Sequence, residues 1–236
     1  REGYELCVSR PRVIPRETED GGLQEPYETL VVTCDQEYTG AVIEKLAARM
    51  GELTAMEGAA EGRARMEFRI PTRGLIGYRG ELLTDTRGTG VMASVFAGYG
   101  PHLGPRKTRA RGVIVVLEPG ETITYSLHRL QERGALFVGP QVPVYAGMII
   151  GEHSRDTDII VNPCITKKLT NVRASGADEK LFLTPPRDLS LEQALAYIED
   201  DELLEVTPQS LRLRKRLLDH NLRKRAEKAA AATAPR

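Results

Sequence analysis

The chain has 236 residues, and its 33 lysine and arginine residues balance 33 aspartate and glutamate residues, so the formal net charge is zero. This balance excludes a strong bulk attraction to nucleic acid or to an anionic membrane, so any such attraction must come from local segregation of charge. The length indicates two domains, because one domain commonly takes about 100 to 200 residues.

The three cysteines, Cys7, Cys34 and Cys164, show neither close pairing nor a histidine at metal-ligand spacing. They indicate free thiols in a reducing compartment, and we expect no metal site. No apolar run approaches the roughly 20 residues that a membrane span needs, and no leader sequence opens the chain. We therefore expect a cytoplasmic protein without a membrane partner.

Residues 1–24 are predicted to be the end of a preceding domain followed by a linker. Residues 4–8 alternate as a strand does, and residues 10–15 stay extended because residues before a proline avoid the helical region. The acidic, glycine-containing segment that follows is typical of a linker.

Residues 25–104 show the element order strand, helix, strand, strand, helix, strand. The second helix is predicted over residues 73–86. The third strand has the clearest alternation, with four apolar residues on one side: Ala64, Met66, Phe68 and Ile70. This order predicts a ferredoxin-like split βαβ domain, in which both helices cover one face of a four-stranded sheet.

Residues 105–228 are predicted to form a mainly β domain with terminal helices, so the whole chain is of the α+β class. A hairpin is predicted around the turn Glu118–Glu121, and further strands are predicted at 136–138, 142–144, 148–150, 159–161 and 181–183. A capping box indicates a helix from Ser190, and residues 217–228 are predicted to be a basic helix. Residues 229–236 are predicted to be a disordered tail.

The segment 159–177 contains no acidic residue and combines cations with small hydrogen-bonding side chains. Such a mixture suits a polyanion, because lysine and arginine bind phosphate while short hydroxyls and amides reach sugar or base edges. A solvated loop remains an equal alternative at this point. The candidate contacts are Lys167, Lys168, Thr170, Asn171, Arg173 and Ser175.

Other cations are weaker candidates for RNA contact. Arg212, Arg214 and Arg216 lie within five residues, together with Lys215, and such a concentration of charge favours an RNA or an acidic counter-surface. Arg73, Arg79 and the basic cluster 106–111 fit a solubilising surface equally well.

Catalytic motifs are not found in the sequence. There is no Gly-x-x-x-x-Gly-Lys-Ser/Thr loop, so the chain is not expected to hydrolyse GTP or ATP alone. His153, Ser154, Asp156 and Asp158 lie side by side in one segment, whereas the members of a catalytic triad are brought together by the fold.

Several strings of residues carry a family resemblance. Residues 25–28 (EPYE) and 37–43 (EYTGAVI) resemble the fifth domain of elongation factor G. Residues 73–79 (RGLIGYR) and 167–176 (KKLTNVRASG) resemble the TypA/BipA translational GTPases, and residues 1–15 resemble the end of that family's third domain.

The resemblance implies a factor that docks at the GTPase-factor site of the ribosome and acts in large-subunit assembly and in stress or cold adaptation. It implies contacts with large-subunit rRNA and A-site tRNA near the peptidyl-transferase centre, made by the loop that carries Lys167, Lys168, Asn171, Arg173 and Ser175. Arg73 and Arg79 also match the family motif, without an implied direct contact. The family's GTPase domain has no counterpart here, so GTP and magnesium are expected only in the missing N-terminal part, and this chain is expected to be neither an enzyme nor a cofactor-binding unit. We expect a monomer that does not bind DNA.

Two alternatives stay open. Split βαβ domains also serve as amino-acid sensors, so the chain could be a small-molecule-binding regulatory module. It could also be a structural scaffold for the missing GTPase domains.

Overall fold

The structure is a computed structural model that describes residues 3–58, 62–104, 109–166 and 181–233. Its strands are β1 (Leu6–Ser9), β2 (Arg16–Glu17), β3 (Leu23–Asp35), β4 (Glu52–Gly58), β5 (Arg63–Pro71), β6 (Val91–Pro101), β7 (Val113–Val116), β8 (Gly120–Glu121), β9 (Gly134–Leu136), β10 (Pro143–Val144), β11 (Met148–His153), β12 (Ile159–Val161), β13 (Glu202–Val206) and β14 (Leu211–Lys215). Its helices are α1 (Thr39–Ala48), α2 (Thr72–Leu75), α3 (Tyr78–Asp85), α4 (Thr124–Gln131), α5 (Leu191–Tyr197) and α6 (His220–Thr233).

The chain divides into two compact units. The first comprises residues 11–106, and the second comprises residues 107–236 together with residues 1–10. We call them the split βαβ unit and the C-terminal unit. None of the helices in the described part of either unit is long and apolar enough to cross a membrane.

The split βαβ unit is built on one antiparallel sheet with the long strand β3 at its centre. β5 pairs along one side of β3 and β6 along the other, while β4 pairs with the outer side of β5. The short strand β2 pairs with the start of β3. The predicted α+β fold with a ferredoxin-like domain is therefore confirmed.

The core of this unit lies between one face of the sheet and the helices. Leu30 and Val32 of β3 are fully buried against Leu46 of α1 and Tyr78 of α3. The alternation predicted for the third strand is correct, since its four apolar residues are buried in the core. The predicted single helix over 73–86 is instead two helices, because Gly77 has a positive φ of 76° that interrupts the helical backbone.

The C-terminal unit contains a mixed sheet with strand order β1, β13, β14, β11, β7, β12, and β9 also pairs with β11. Strand β7, which lies between β11 and β12, is buried on both faces, so its four residues form a continuous apolar run. Ile114 packs toward Leu127 of α4, whereas Val113 packs toward Ala194 of α5. The sheet thus carries a core on each face.

Two predicted strands of this unit are not formed. The second arm of the predicted hairpin, around Ile123, is the start of α4, since Leu127 and Leu130 have helical spacing and reach the core together. Residues 181–183 are not in a strand. The helix predicted from Ser190 is correct, and its capping box is present.

The ends of the chain also differ from the predictions. β1, which was assigned to the end of a preceding domain, pairs antiparallel with β13 and is an edge strand of the C-terminal unit. Residues 229–233, predicted to be disordered, continue α6. Alanine has the highest helix propensity of all residues, which explains why the helix extends beyond the basic stretch.

Candidate nucleic-acid interface

Helix α4 holds both ends of the segment that carries the main candidate contacts. The Ser126 hydroxyl donates to the carbonyl of Ile165 at 2.8 Å. The Gln131 side chain donates to the carbonyl of Phe182 and accepts from the amide of Thr184, each at 3.0 Å. One short helix therefore fixes the chain on either side of the segment 167–180.

The six candidates in that segment lie outside the described residues. They are Lys167, Lys168, Thr170, Asn171, Arg173 and Ser175. Their contacts with RNA stay a prediction.

The basic cluster on β14 is divided between the two faces of the strand. Lys215 is almost completely buried, and its ammonium group lies 2.7 Å from Asp158, 2.8 Å from Asp201 and 2.9 Å from Glu202. These carboxylates within the same unit relieve the charge repulsion from which an RNA or acidic counter-surface was predicted. Lys215 is therefore part of the scaffold.

Arg214 is also occupied within the C-terminal unit. Its guanidinium lies 2.7 Å from a Glu205 carboxylate oxygen, and the Tyr145 hydroxyl donates to the other oxygen at 2.6 Å. Burial and this hydrogen bond raise the pKa of Tyr145, so the phenol stays a donor. The neighbouring Arg212 is partly exposed, and Arg216 is exposed.

A buried carboxylate, Glu202, connects β14 to the basic cluster predicted at residues 106–111. Arg109 donates two hydrogen bonds of 2.9 Å to Glu202, and Lys215 donates a third at 2.9 Å. Burial alone would raise the pKa of Glu202, but the hydrogen bonds from Arg109 and the charge of Lys215 lower it below its ordinary value. We call these three residues the Glu202 cluster.

The first arginine of the family string in the split βαβ unit has a similar structural partner. Arg73 forms an ion pair with Glu25, which is fully buried, and Glu25 also accepts from the amide of Leu103 at 3.0 Å. Burial raises the pKa of Glu25, and the bonds from Arg73 and Leu103 outweigh that effect and lower it. Arg79, six residues later on α3, is exposed.

Helix α6 carries further cations, in a stretch for which the sequence predicts a basic helix but no individual contact residues. Lys224, Arg225 and Lys228 are exposed, as is Arg216 shortly before the helix. Arg223 is instead buried and donates to the carbonyls of the two residues Leu217 and Leu218, each at 2.7 Å. The helix is thus attached through one arginine while its other cations face solvent.

The histidine of the segment 153–158 is structural. His153 is buried, and its Nδ1 lies 2.6 Å from the carbonyl of Thr157. Among the described residues, no group of three or more histidine, cysteine, aspartate or glutamate side chains could hold a metal ion.

The described residues of the C-terminal unit line two cavities of similar volume. One, of about 330 Å³, has a floor of apolar residues that includes Phe137 and Leu204. The other, of about 320 Å³, lies beside Gln131 and Thr184, at the point where α4 holds the chain after the candidate segment. The sequence does not reveal the second cavity, because it predicts the second arm of a hairpin where α4, the helix that carries Gln131, begins.

Comparison with protein families accounts for each unit in turn. Residues 22–109 match the elongation factor G C-terminus, in agreement with the split βαβ fold. The fold and this match assign residues 22–109 to the class of elongation factor G C-terminal domains.

Residues 111–220 match the TypA/BipA C-terminal domain. The chain is 48% identical over 237 residues to the "Large ribosomal subunit assembly factor BipA" of Haemophilus influenzae, and this alignment covers 99% of the chain and 38% of that protein. The protein of the same name in Escherichia coli K12 is 48% identical over 230 residues (97% and 38%), and that of Synechocystis is 47% identical over 215 residues (91% and 36%). The chain belongs to the TypA/BipA family and corresponds to the C-terminal part of its members. It spans somewhat more than a third of the length of these relatives.

Proposed function

We propose that this chain is the ribosome-docking C-terminal part of a TypA/BipA-type translational GTPase that acts in assembly of the large ribosomal subunit. The observation that carries the proposal is the 48% identity, over nearly the whole chain, to relatives named as large-subunit assembly factors. Both matched domains are C-terminal ones, so we assign GTP hydrolysis, with its GTP and magnesium, to the remaining part of the longer protein. This chain contributes binding and positioning on the ribosome.

The principal contact in this proposal is made by the segment 167–180, with large-subunit rRNA and the acceptor end of A-site tRNA near the peptidyl-transferase centre. Two features support it: the stretch 159–177, which carries Lys167, Lys168 and Arg173, contains no acidic residue, and α4 fixes the chain at Ile165 and Phe182. A phosphate contact made by the segment therefore acts on a folded unit at two attachment points.

The remaining candidates take different roles in the proposal. Arg79, Arg212 and Arg216 are at least partly exposed and can bind phosphate directly. Arg73 and Arg214 already face Glu25 and Glu205, so they shape the surface and contact RNA less directly.

Changing Lys167, Lys168 and Arg173 together to alanine tests the principal contact. We expect weaker co-sedimentation with ribosomes and large subunits, and a salt dependence of binding that is shallower by about two to three in log–log slope, because each lost phosphate contact removes a released counterion. The free energy of unfolding should change by less than about 1 kcal/mol, as is usual for surface substitutions.

A matched control removes three exposed cations elsewhere, by changing Arg65, Arg87 and Arg155 to alanine. Unchanged ribosome binding by the first variant, or equal weakening by both, would contradict the assignment of the contact to this segment. The proposed role in stress or cold adaptation is checked with the same two sets of substitutions placed in the full-length GTPase, by growth at low temperature in cells that lack the native factor.

The 330 Å³ cavity favours a second candidate function, a regulatory module that binds a small molecule. A rise in the thermal midpoint with amino acids or nucleotides, without any effect of RNA, would support that candidate. A pure scaffold for the GTPase domains would show neither effect.

A further inference from the structure

We propose that the 320 Å³ cavity beside Gln131 and the exposed ring of Phe182 form a site for single-stranded RNA. The site lies outside the segment 167–180, and the inference rests on the proposed ribosome-binding function. It adds a place where unpaired bases are stacked to a contact otherwise made through phosphates. We call this cavity and ring the Phe182 site.

The first observation is the exposure of Phe182 on a fixed main chain. Its side chain is 78% exposed. The main chain is nevertheless held on both sides of Leu183, because the Gln131 side chain donates to the carbonyl of Phe182 and accepts from the amide of Thr184. An aromatic ring that is largely exposed on an anchored backbone is available to stack with a ligand at this place on the surface.

The second observation is that the cavity lies directly beside this anchor. Gln131 and Thr184, which make the anchoring contact, both line it, and Leu136 and Pro185 add apolar surface. Leu183 is partly buried and packs against the core, whereas Phe182 and Thr184 on either side of it are exposed. The ring and the cavity therefore belong to one surface.

The third observation is the local charge. Arg187 lines the cavity, and its guanidinium lies 3.6 Å from Glu152. The same carboxylate is 3.1 Å from Arg111, so one negative charge faces two guanidinium groups. Both arginine side chains are more than half exposed, which leaves an excess positive charge at the rim of the site.

An aromatic face, a small mainly apolar cavity and an excess positive charge match the chemistry of an unpaired nucleotide. Single-stranded RNA is bound by stacking bases on aromatic rings while arginine or lysine binds the backbone phosphates. A duplex cannot use such a site, because its bases are already stacked. We therefore assign one base to the cavity, the adjacent base to the ring of Phe182, and the intervening phosphate to Arg187.

The test uses the full 236-residue chain and a short single-stranded RNA that contains 2-aminopurine, whose fluorescence is quenched on stacking. We expect quenching with wild-type protein and no quenching with the same RNA in a duplex. Phe182→Ala should lower the affinity by roughly 5- to 100-fold, the usual range for one stacked base, and should leave the salt dependence unchanged. Arg187→Ala should instead make the salt dependence shallower, because it removes a phosphate contact.

Three controls separate the site from a general effect. Phe96 is another exposed aromatic residue, at 59%, so Phe96→Ala should bind RNA like wild type. Phe182→Tyr should retain the quenching, since it keeps the ring. An RNA with an abasic position in place of 2-aminopurine should bind the wild-type protein more weakly than the intact RNA does. The Phe182→Ala variant should bind these two RNAs equally well.

The outcomes distinguish this inference from the proposed function. If wild-type protein co-sediments with ribosomes but does not quench the fluorescence, or if Phe182→Ala quenches it fully, the Phe182 site is wrong and the proposed function stands. If wild type binds neither RNA nor ribosomes, both are overturned. If Phe182→Ala loses ribosome binding with unchanged RNA affinity, the surface contacts a ribosomal protein and the inference is wrong.

Discussion

The Glu202 cluster and the exposed cations around α6 both belong to the C-terminal unit, yet the same residue types have opposite environments in them. In the Glu202 cluster, Arg109 and Lys215 are buried against a carboxylate whose side chain has no exposure. Around α6, Lys224 and Lys228 are exposed to solvent. The comparison shows that a dense run of basic residues in the sequence can combine parts of the scaffold with candidates for phosphate binding.

The largest effect is expected from Glu202→Ala. The change leaves Arg109 and Lys215 buried without their shared partner, and removing one member of a buried ion pair costs about 3–5 kcal/mol. Urea unfolding measures the loss. Glu132→Ala removes an exposed carboxylate from the same unit and should change the free energy of unfolding by less than about 0.5 kcal/mol. Similar losses in the free energy of unfolding for the two variants would show that the Glu202 cluster stabilises the fold no more than an exposed carboxylate does.

A smaller effect is expected from acid. The pKa of Glu202 and that of Glu25 are both lowered in the folded protein from the ordinary value of 4.5. Each carboxylate therefore stabilises the fold fully above about pH 4.5, and this stabilisation is lost as the pH falls through the folded pKa. Stability measured from pH 7 to pH 3 should decrease less steeply in Glu202→Gln than in wild type. Parallel curves would show that the charge of Glu202 does not contribute to the acid sensitivity.

The smallest effect on stability is expected for the exposed cations. Changing Arg216, Lys224 and Lys228 together to alanine should alter the free energy of unfolding by less than about 0.5 kcal/mol per site. If α6 contacts RNA phosphates, the same variant should make the salt dependence of ribosome binding shallower by up to about three in log–log slope. A large loss of stability would assign these cations to the scaffold and would remove the contrast with the Glu202 cluster.

The fold of the split βαβ unit could be predicted because its elements follow simple periodicities. Met66 and Phe68 alternate with charged residues along β5, and Val42 and Leu46 lie one turn apart on α1, so sequence spacing alone identifies the buried side. In the C-terminal unit the same approach succeeded at Ser190, where the capping box depends only on neighbouring residues.

Sequence spacing does not predict the elements whose conformation is decided by long-range contacts. Thr122 and Ile123 have strand propensity, but the burial of Leu127 and Leu130 against the sheet stabilises a helix directly after them. The four cations of residues 212–216 look alike in the sequence. The carboxylates that pair with Arg214 and Lys215 are supplied by other segments of the chain. Asp158, for example, lies 57 residues before Lys215 in the numbering and only 2.7 Å from it in space.

The Phe182 site could not be predicted for a related reason. A phenylalanine in a Leu-Phe-Leu sequence suggests a buried strand, whereas in the structure the ring of Phe182 is exposed and its backbone carbonyl is bound by Gln131. The candidates Lys167 to Ser175 were identified from composition and family resemblance, and they remain predictions.

The pairing of β1 with β13 has a consequence for the way the chain folds. Leu6 and Val206 are neighbours in the sheet but lie about 200 positions apart in the chain, and the split βαβ unit is encoded between them. The C-terminal unit is thus discontinuous, and its edge strand leaves the ribosome long before its partner is synthesised. At about 5–20 residues per second, β1 waits at least ten seconds or so, during which the split βαβ unit can fold first and bring the two ends of the intervening chain closer together.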